Sequence, residues 1–526
     1  MNKYQIFWGE THNNTHHSAG QKVSFGDILD CAATHLDFYA AAYYTAWAEA
    51  FAGEGHLSES ERRHKIVLEG WKPQEQIERE WAEVCTLTRA RYTPGRFVTF
   101  PGYEWQGDGT SGDHNVIMRE EGLPVFRVQK LAELYNRLRG HDALAIPHHT
   151  AYRPGMRGRD WSVFDEELSP FCEIYSIHGC SETDEEWIGL RHNSHMGPGF
   201  GDGTWQTALD RGYHIGAICS SDGWRDMPGP HGYGLMACLA EECTRESLWR
   251  AFRARRVYGV TGDRIALDFR VNEALMGEVV PVRGKRRITV RVSGLDALDR
   301  IELLRNGRVI ATHCHQGTWD LPSPGRRSRF RVRIEAGWGP RPNELPIQVR
   351  EWRGTLRVAG GRVLAWWPCW ISPGQGIPLL HGDTAEFTFK TSTAYVQWPR
   401  QNATVFEFEA EPNAEMCVAL NGLETRGAVS DFARCSRELW YKDDCIRMLH
   451  ELAGVAPGTP ERMDVYHHCA FKVKIHRPIP ESGYSATWEV EDDSPITAGE
   501  VHYRVRVEQR NAQRAWSSPI WVRPVC

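Results

Sequence analysis

The stretch Trp8-Gly-Glu-Thr-His-Asn-Asn-Thr-His-His-Ser18, directly behind the apolar run Tyr4 to Trp8, decides how this chain is read. An apolar run that stops and delivers Glu10, His12, Asn14, His16 and His17 within a few residues is a first strand ending in metal-binding chemistry. Side chains alternate faces along an extended chain, so Glu10, His12 and Asn14 can share one face. Imidazole nitrogen with carboxylate and amide oxygen is a donor set suited to Zn, Mn or Fe. A polar loop after an edge strand fits these few residues equally well, because short motifs match by chance. The strand ends farther along the chain decide between the two.

As far as about residue 265, short apolar runs alternate with helical periodicity, the signature of a β/α architecture. Ile28, Leu29 and Ala32 mark a helix, Leu36 to Ala42 a buried strand, and Ile77, Trp81, Val84 and Leu87 behind Pro73 a long amphipathic helix. Phe97 to Phe100 is a strand that runs into Pro101-Gly-Tyr-Glu104-Trp105, and Asp113-His114-Asn115 leads into Val116 to Met118. Val128, Leu131, Tyr135 and Leu138 form another helix. Ala143 to Ile146 stops at Pro147-His148-His149, Phe171 to Ile177 stops at His178-Gly-Cys180-Ser-Glu182, and His214 to Cys219 stops at Ser220-Ser-Asp222-Gly-Trp224. Thr244 is placed to cap the helix Leu248 to Arg255. Glu10 with His12, Tyr44, Glu104, His148, His178 and Asp222 therefore fall just beyond the carboxyl ends of successive strands. In a β/α barrel those ends converge on one mouth, where catalytic residues gather. One such histidine alone is better explained as a satisfied core residue, but the ordered set reverses that judgement.

The length of 526 residues predicts two or three domains. Lys plus Arg at 62 against Asp plus Glu at 68 gives a net charge of -6 without any basic tract, so nucleic acid is not an expected partner. The first residues carry no long apolar segment, and nothing later reaches about 18 uninterrupted apolar residues, so the expectation is a soluble, cytoplasmic protein with no membrane association. The 14 cysteines show no Cys-x-x-Cys pair, which reads as reduced thiols and not a disulfide framework. Cys180 is the one weighed as a nucleophile, and a structural thiol is preferred there. Nothing in the composition argues against a homo-oligomer.

Beyond residue 265 the pattern becomes strict alternation: Ile288 to Val292, Phe330 to Ile334, Phe387 to Phe389, Val405 to Phe408, Phe471 to Ile475 and Tyr503 to Val507. These are half-buried strands of a β-rich, sandwich-like region, with hairpin turns at Asn306-Gly307 and Asn421-Gly422. Leu439, Ile446, Leu449 and Leu452 follow helical spacing, and Gly454 stops that helix. The expected organisation is residues 1–265 as a metal-dependent barrel domain and 266–526 as a β-rich region, divisible into 266–380 and 381–526. His313-Cys314-His315 and His467-His468 are read as surface or strand-end histidines.

Taken in order, Trp-Gly-Glu-Thr-His12-Asn-Asn14-Thr, Leu-Asp-Phe38, Pro-Gly-Tyr-Glu104-Trp, His114-Asn, Pro-His148-His149, Glu173-Ile-Tyr-Ser-x-His178-Gly-x-Ser-Glu182 and Ser221-Asp222 resemble the PHP (polymerase and histidinol phosphatase) superfamily. The chain is similar to a branch with β-rich C-terminal extensions, to which Arg255 to Gly262 and Ala515 to Val522 also correspond. The resemblance covers most of the chain. It implies a distorted seven-stranded β/α barrel and metal-dependent hydrolysis, commonly of phosphoesters. Carried over residue by residue, a first metal would be held by His12, Asn14, Glu104 and Asp222, where the family usually has histidine at Asn14. A second would use Glu104 as a bridge with His114 and His148 or His149. A third site fails, because Tyr44 and Trp224 stand where its histidines would be. At most two divalent transition ions are expected, Mn or Zn with Fe as the further option.

Two ions bridged by Glu104 would acidify a shared water and polarise a substrate oxygen, so a metal-bridged hydroxide is the expected nucleophile. His178 is the candidate acid or substrate binder, and Tyr44 an oxyanion donor or a filler of the vacated site. Trp224, His195, Arg191 and Arg225 are candidate substrate contacts, with Arg153 and Arg157 also near enough to strand ends to bind an anion. The leading expectation is a hydrolase of a small phosphoester. A hydrolase or lyase of an amide, ester or sugar-derived substrate and a decayed binding or scaffold protein are the alternatives.

Overall fold

The apolar run that opens the chain becomes strand β1 (Gln5–Thr15), buried from Trp8 onward. In the computed structural model, the described residues are 3–16, 23–44, 72–185, 188–190, 197–223, 227–315, 319–339, 345–393, 401–456, 458–459, 470–497 and 499–525. Helix α1 (Phe25–Ala32) starts at a reciprocal cap between Ser24 and Asp27 and buries Phe25, Ile28, Leu29 and Ala32. It leads to β2 (Phe38–Tyr44), which lies parallel to β1. Helix α2 (Gln74–Arg91) buries Ile77, Trp81, Val84 and Thr88 and is followed by β3 (Val98–Phe100) and β4 (Gly102–Trp105), both parallel to β2. A side chain cannot replace Gly102: a Cβ there would stand 2.4 Å from the Ala41 carbonyl oxygen and 2.7 Å from that of Val116. This close approach lets β4 fit between β2 and β5 (His114–Met118).

From β4 the direction reverses. The connection to β5 is too short for a crossover, so β5 runs antiparallel to β4, and β6 (Ala143–Pro147), reached through α3 (Leu131–Leu138), runs antiparallel to β5. Strands β7 (Phe171–Ser176), β8 (Gly179–Cys180) and β9 (Gly216–Cys219) pair among themselves, with the short α4 (Trp205–Asp210) before β9. Strand β10 (Leu235–Ala240) returns antiparallel to β1, and α5 (Arg245–Arg253), capped by Thr244, leads into β11 (Val257–Val260) beside β10.

The architecture is mixed α/β and rich in strands, and no sheet formed by the described residues closes on itself. The expected α/β class is met, whereas the described strands do not close into the expected seven-stranded barrel. Phe38, Val98, Phe100, Ile117, Leu144, Phe171, Ile218, Met236 and Val257, drawn from β2, β3, β5, β6, β7, β9, β10 and β11, share one buried apolar cluster. Yet β7 and β9 hydrogen-bond to each other and not to β6 or β11.

Two compact units divide the chain: Met1–Ser293 with Asp299–Cys314 and Thr487–Cys526, and Gly294–Leu298 with His315–Ala486. In the first, the strand Arg514–Ser517 pairs with β11, Val501–Gln509 pairs with it, and Ile520–Pro524 and Val279–Val282 extend the same sheet. In the second, two antiparallel sheets pack through Phe330, Trp352, Phe387, Phe406, Val418 and Val473, a sandwich built from the alternating segments. The turns at Asn306-Gly307 and Asn421-Gly422 take positive φ as expected. The helix Lys442–Ala453 ends at left-handed Gly454, but Leu439 belongs to the strand Arg437–Tyr441, because its burial follows strand alternation there. Twelve cysteines are free among the described residues, and burial pushes the Cys180 thiol up to about 12, which suits a structural role and not a nucleophile. No helix among the described residues is long and apolar enough to cross a membrane.

Within the first unit the buried carboxylate of Glu182 receives Arg504 Nη1, Arg506 Nε at 2.7 Å and Trp516 Nε1 at 2.8 Å. Removing it in Glu182→Ala strands two guanidinium groups away from water. Urea unfolding of that variant should show a stability loss of about 3–5 kcal/mol, and an unchanged midpoint would remove this network from the fold's support.

Candidate metal centre

The register of β1 against β2 shifts between Glu10 and Asn13, so the simple alternation expected for Glu10, His12 and Asn14 is broken by a bulge. Glu10 serves as an anchor: its Oε1 accepts the N–H of His12 at 2.8 Å and of Ser221 at 3.1 Å, and its Oε2 accepts that of Gly229 at 3.0 Å. Asn13 Nδ2 and Asn14 N donate to the Gly223 carbonyl at 3.0 and 2.7 Å, which ties β1 to the loop after β9. Through these bonds His12 in β1 and Asp222 after β9 are brought together. Tyr44 at the end of β2 is the register partner of Glu104 in β4. His148 and His149 follow β6, and His178 follows β7. Two of these residues, His149 at φ 33° and Asp222 at φ 49°, sit in the left-handed region that non-glycine residues avoid.

The side chains converge. His12 Nδ1 lies 2.9 Å from Glu173 Oε2, and its Nε2 lies 3.2 Å from Asp222 Oδ1 and 3.6 Å from Glu104 Oε2. His148 Nε2 is 3.8 Å from Glu104 Oε1, His149 Nε2 is 3.4 Å from Asp113 Oδ2, and His178 Nε2 is 3.0 Å from Asp222 Oδ2. The imidazoles of His12, His148, His149 and His178 form a row with successive centroids 4.1, 4.4 and 4.9 Å apart. On the far side of His178, its Nδ1 meets the Tyr152 hydroxyl at 2.7 Å. Gln106 Nε2 donates to Glu104 Oε1 at 2.8 Å, and Arg157 Nε donates to Asp113 Oδ2 at 2.6 Å.

Four groups place their donor atoms within 4.8 Å of one another: His12/Glu104/His148, His12/Glu173/Asp222, Asp113/His148/His149 and His149/His178/Asp222. All eight residues are buried. The donor atoms themselves show that a cation fits here. His12 Nε2, Glu104 Oε2, Asp113 Oδ1, both ring nitrogens of His148, His149 Nδ1, Glu173 Oε1, Asp222 Oδ2 and Asn14 Oδ1 are all buried without a hydrogen-bond partner. Buried polar atoms are normally satisfied, and so many orphans in one place are what a metal ion accounts for.

Electrostatics point the same way. Burial foremost, then neighbouring cationic groups, hold His114, His148 and His149 well below the ordinary imidazole range, in the neutral form that ligates metals. Burial also disfavours charge on His12, but Asp222 and Glu173 override it and hold its pKa well above the usual value. Burial pushes Glu173 up to about 8 against the pull of His12, and Asp113 up to about 7 against that of Arg157. Burial acts on Asp222 too, yet His12 and His178 hold it below the usual carboxylate range. Burial and Glu104 raise Tyr44, which keeps its phenol protonated.

Asn14 is tied through its N–H to Gly223, and His12, Glu104, His148, His149, Asp222 and His178 are brought to one place. His114 is not: it pairs in register with Trp105, its Nδ1 lies 3.0 Å from the Gly112 carbonyl, and its ring packs edge-on to Trp105 and Tyr135. The antiparallel turn into β5 brings the preceding Asp113 into the cluster instead. His178, considered only as an acid or substrate binder, stands within ligand reach of His149 and Asp222. Arg191, His195, Trp224 and Arg225 lie outside the described residues, as does His17. Sequence reasoning missed Asp113, Glu173, Tyr152 and the placement of Arg157. Glu173 carried a signal, a carboxylate inside the apolar run Phe171 to Ile174, which burial would force to find a partner.

The family model described as "Protein of unknown function (DUF3604)" matches residues 32–167 and 203–279, a span that includes Glu104, Asp113, His148, His149 and Asp222. An uncharacterized protein of Chlamydia pneumoniae is 28% identical over 240 residues, 41% of this chain and 38% of its own length. One of Chlamydia trachomatis is 26% identical over 238 residues, again 41% and 38%. The match spans well under half the length of these curated relatives. Among solved structures, a two-domain protein of Bacteroides vulgatus containing a "predicted PHP-like metal-dependent phosphoesterase" aligns with a TM-score of 0.31 at 13% identity, over 58% of this chain and 80% of that one.

The pKa shifts fix a pH dependence for ion-free protein. Glu173, Asp113 and His12 bind protons more tightly folded than unfolded, so their contribution is lost as pH rises through the folded values of about 8 and 7 for the two carboxyls. Unfolded histidines are only about a quarter protonated at pH 7 and nearly neutral at pH 8, so the lowered imidazoles add a small opposing slope that fades across this range. Ion-free protein is therefore expected to lose thermal stability from pH 7 to 8, while the Tm gain on adding Zn or Mn grows over that range as ions replace protons. A gain that shrinks toward pH 8 would contradict this.

Proposed function

We propose that this chain is a metal-dependent hydrolase of a small phosphoester, with its chemistry in residues 1–265 folded as a distorted β/α barrel. The observation that carries the reading is the set of four overlapping His/Asp/Glu groups whose buried donor atoms have no other partner. The overlap favours two divalent transition ions, Mn or Zn, over one. His12, Glu104, Glu173 and Asp222 would hold one, with Asn14 Oδ1 as a further oxygen, and Asp113, His148, His149 and His178 the other. When bound, such ions acidify water and polarise a substrate oxygen.

The chain's own groups supply the rest. Glu104 sets its two oxygens toward different histidines, Oε2 toward His12 and Oε1 toward His148, the arrangement of a bridging carboxylate. His178 is held at Nδ1 by the Tyr152 hydroxyl, which sets its ring plane and leaves Nε2 directed at Asp222 and the cluster. Tyr44, kept protonated and lying beside Glu104, is a hydroxyl donor on the wall of the same site.

Elemental analysis of protein purified without chelator tests the reading. Up to two transition ions per chain are expected, falling in both His12→Ala and Glu104→Gln, with hydrolysis of a nitrophenyl phosphate lost in the same variants. Protein that takes up no ion after reconstitution with Mn or Zn would overturn it. Tyr152→Phe should keep its fold and lose about 10–100-fold in metal affinity or turnover, the usual cost of removing a group that orients a ligand. Unchanged kinetics there would release Tyr152 from that role.

A further inference from the structure

The loop after His149 is wound tightly around one residue. Arg159 N donates to Thr150 O at 2.9 Å, Met156 N and Gly158 N both donate to Arg153 O at 2.9 and 3.1 Å, and Arg157 N donates to Gly109 O at 2.8 Å. Gly158 is packed so closely that a Cβ would lie 1.7 Å from the Tyr152 carbonyl oxygen. These bonds hold Arg157 itself at φ 69°, a left-handed conformation that non-glycine residues avoid. Strain of this kind persists where surrounding bonds over-determine it, and here the result is a guanidinium turned into the carboxylate cluster.

The manner of its pairing is informative. A guanidinium that only neutralised Asp113 would be best placed as a fork on both carboxylate oxygens. Instead Nε and Nη2 both go to Oδ2, Asp113 Oδ1 is left unpartnered, and Nη2 also lies 3.8 Å from Glu104 Oε1. The cation thus straddles two carboxylates of the candidate metal centre. Its side chain is 18% exposed, against 0% for Asp113 and His12, 3% for Glu104 and 6% for Asp222. Among these charged groups it is the one that solvent, and hence a ligand, meets first.

We propose that Arg157 is the anion-recognition residue of this site, selecting substrates whose reacting group is a tetrahedral oxyanion such as a phosphate monoester. The inference rests on the metal-dependent hydrolase reading and adds to it the residue that reads the substrate's oxyanion. Asp113 acts as the positioning residue: it holds Nε and Nη2 on one oxygen and so sets the plane of the guanidinium. Arginine suits the task because its charge does not titrate and its planar N–H array matches phosphate oxygens.

The test uses full-length protein, loaded with Mn or Zn, and inorganic phosphate as the probe. Calorimetric titration should show phosphate binding to the wild type, weakened about 10–100-fold in Arg157→Met and partly restored in Arg157→Lys, with metal content equal in all three. Equal phosphate affinity in wild type and Arg157→Met would overturn the assignment, as would metal-loaded wild type that binds no phosphate. Loss of metal in both Arg157 variants would also overturn it, since Arg157 would then act on ion retention through Asp113. If the wild type holds no ion at all, the hydrolase reading fails separately. The same titration on the ion-free proteins then judges Arg157, and equal affinity or none sinks it.

Discussion

Four carboxylates, Glu104, Asp113, Glu173 and Asp222, are buried within reach of one another, and everything around them answers to that constraint. An isolated buried carboxylate costs several kcal/mol, and grouping them multiplies the cost unless cations share the space. The chain provides two of its own, a protonated His12 between Glu173 and Asp222 and the guanidinium of Arg157 on Asp113. These do not satisfy the set, since one oxygen on each of the four carboxylates remains without a hydrogen bond. Divalent ions would complete the compensation, and the neutral state of His148 and His149 is the condition under which they could bind.

Holding such a group together is the work of the backbone. Left-handed His149, Arg157 and Asp222 are each unfavourable locally, and with the bulge in β1 they set polar side chains toward the same cluster. Glu10 shows how this is sustained. A carboxylate within the first strand is used to collect three backbone N–H groups, from β1 and from the two turns after β9, so that His12 and Asp222 cannot drift apart.

This explains what could and could not be read from the sequence. Strand ends were legible because apolar runs stop abruptly at His148, His178 and Asp222, whereas Glu104, expected past a strand end, lies inside β4; period-two and helical patterns located β1, α1, α2 and the sandwich of the second unit. The side-chain facing was less legible. Period two put Glu10 beside His12 and Asn14, but the bulge broke that alternation. His114 looked like a ligand by resemblance, and the reversal of direction at β5 put Asp113 in its place, since a strand's direction depends on the length and path of its connection and not on its composition. Arg157 lies on a loop with no periodicity, where only the tertiary hydrogen bonds determine its aim.

The sequence also hides how far the site's support extends. Glu182, four residues past His178, is satisfied by Arg504, Arg506 and Trp516, more than 300 residues away. The loop that carries His178 is therefore not finished by the segment that encodes it. Glu182 gains its guanidinium and indole partners only where Val501–Gln509 and Arg514–Ser517 join the sheet beside β11. Contacts of such sequence separation form late, because chain closure must be completed before they contribute. The turn after His178 is thus supported by strands far from it in sequence, whereas the apolar cluster of β2, β3, β5 and β6 is drawn from neighbouring chain.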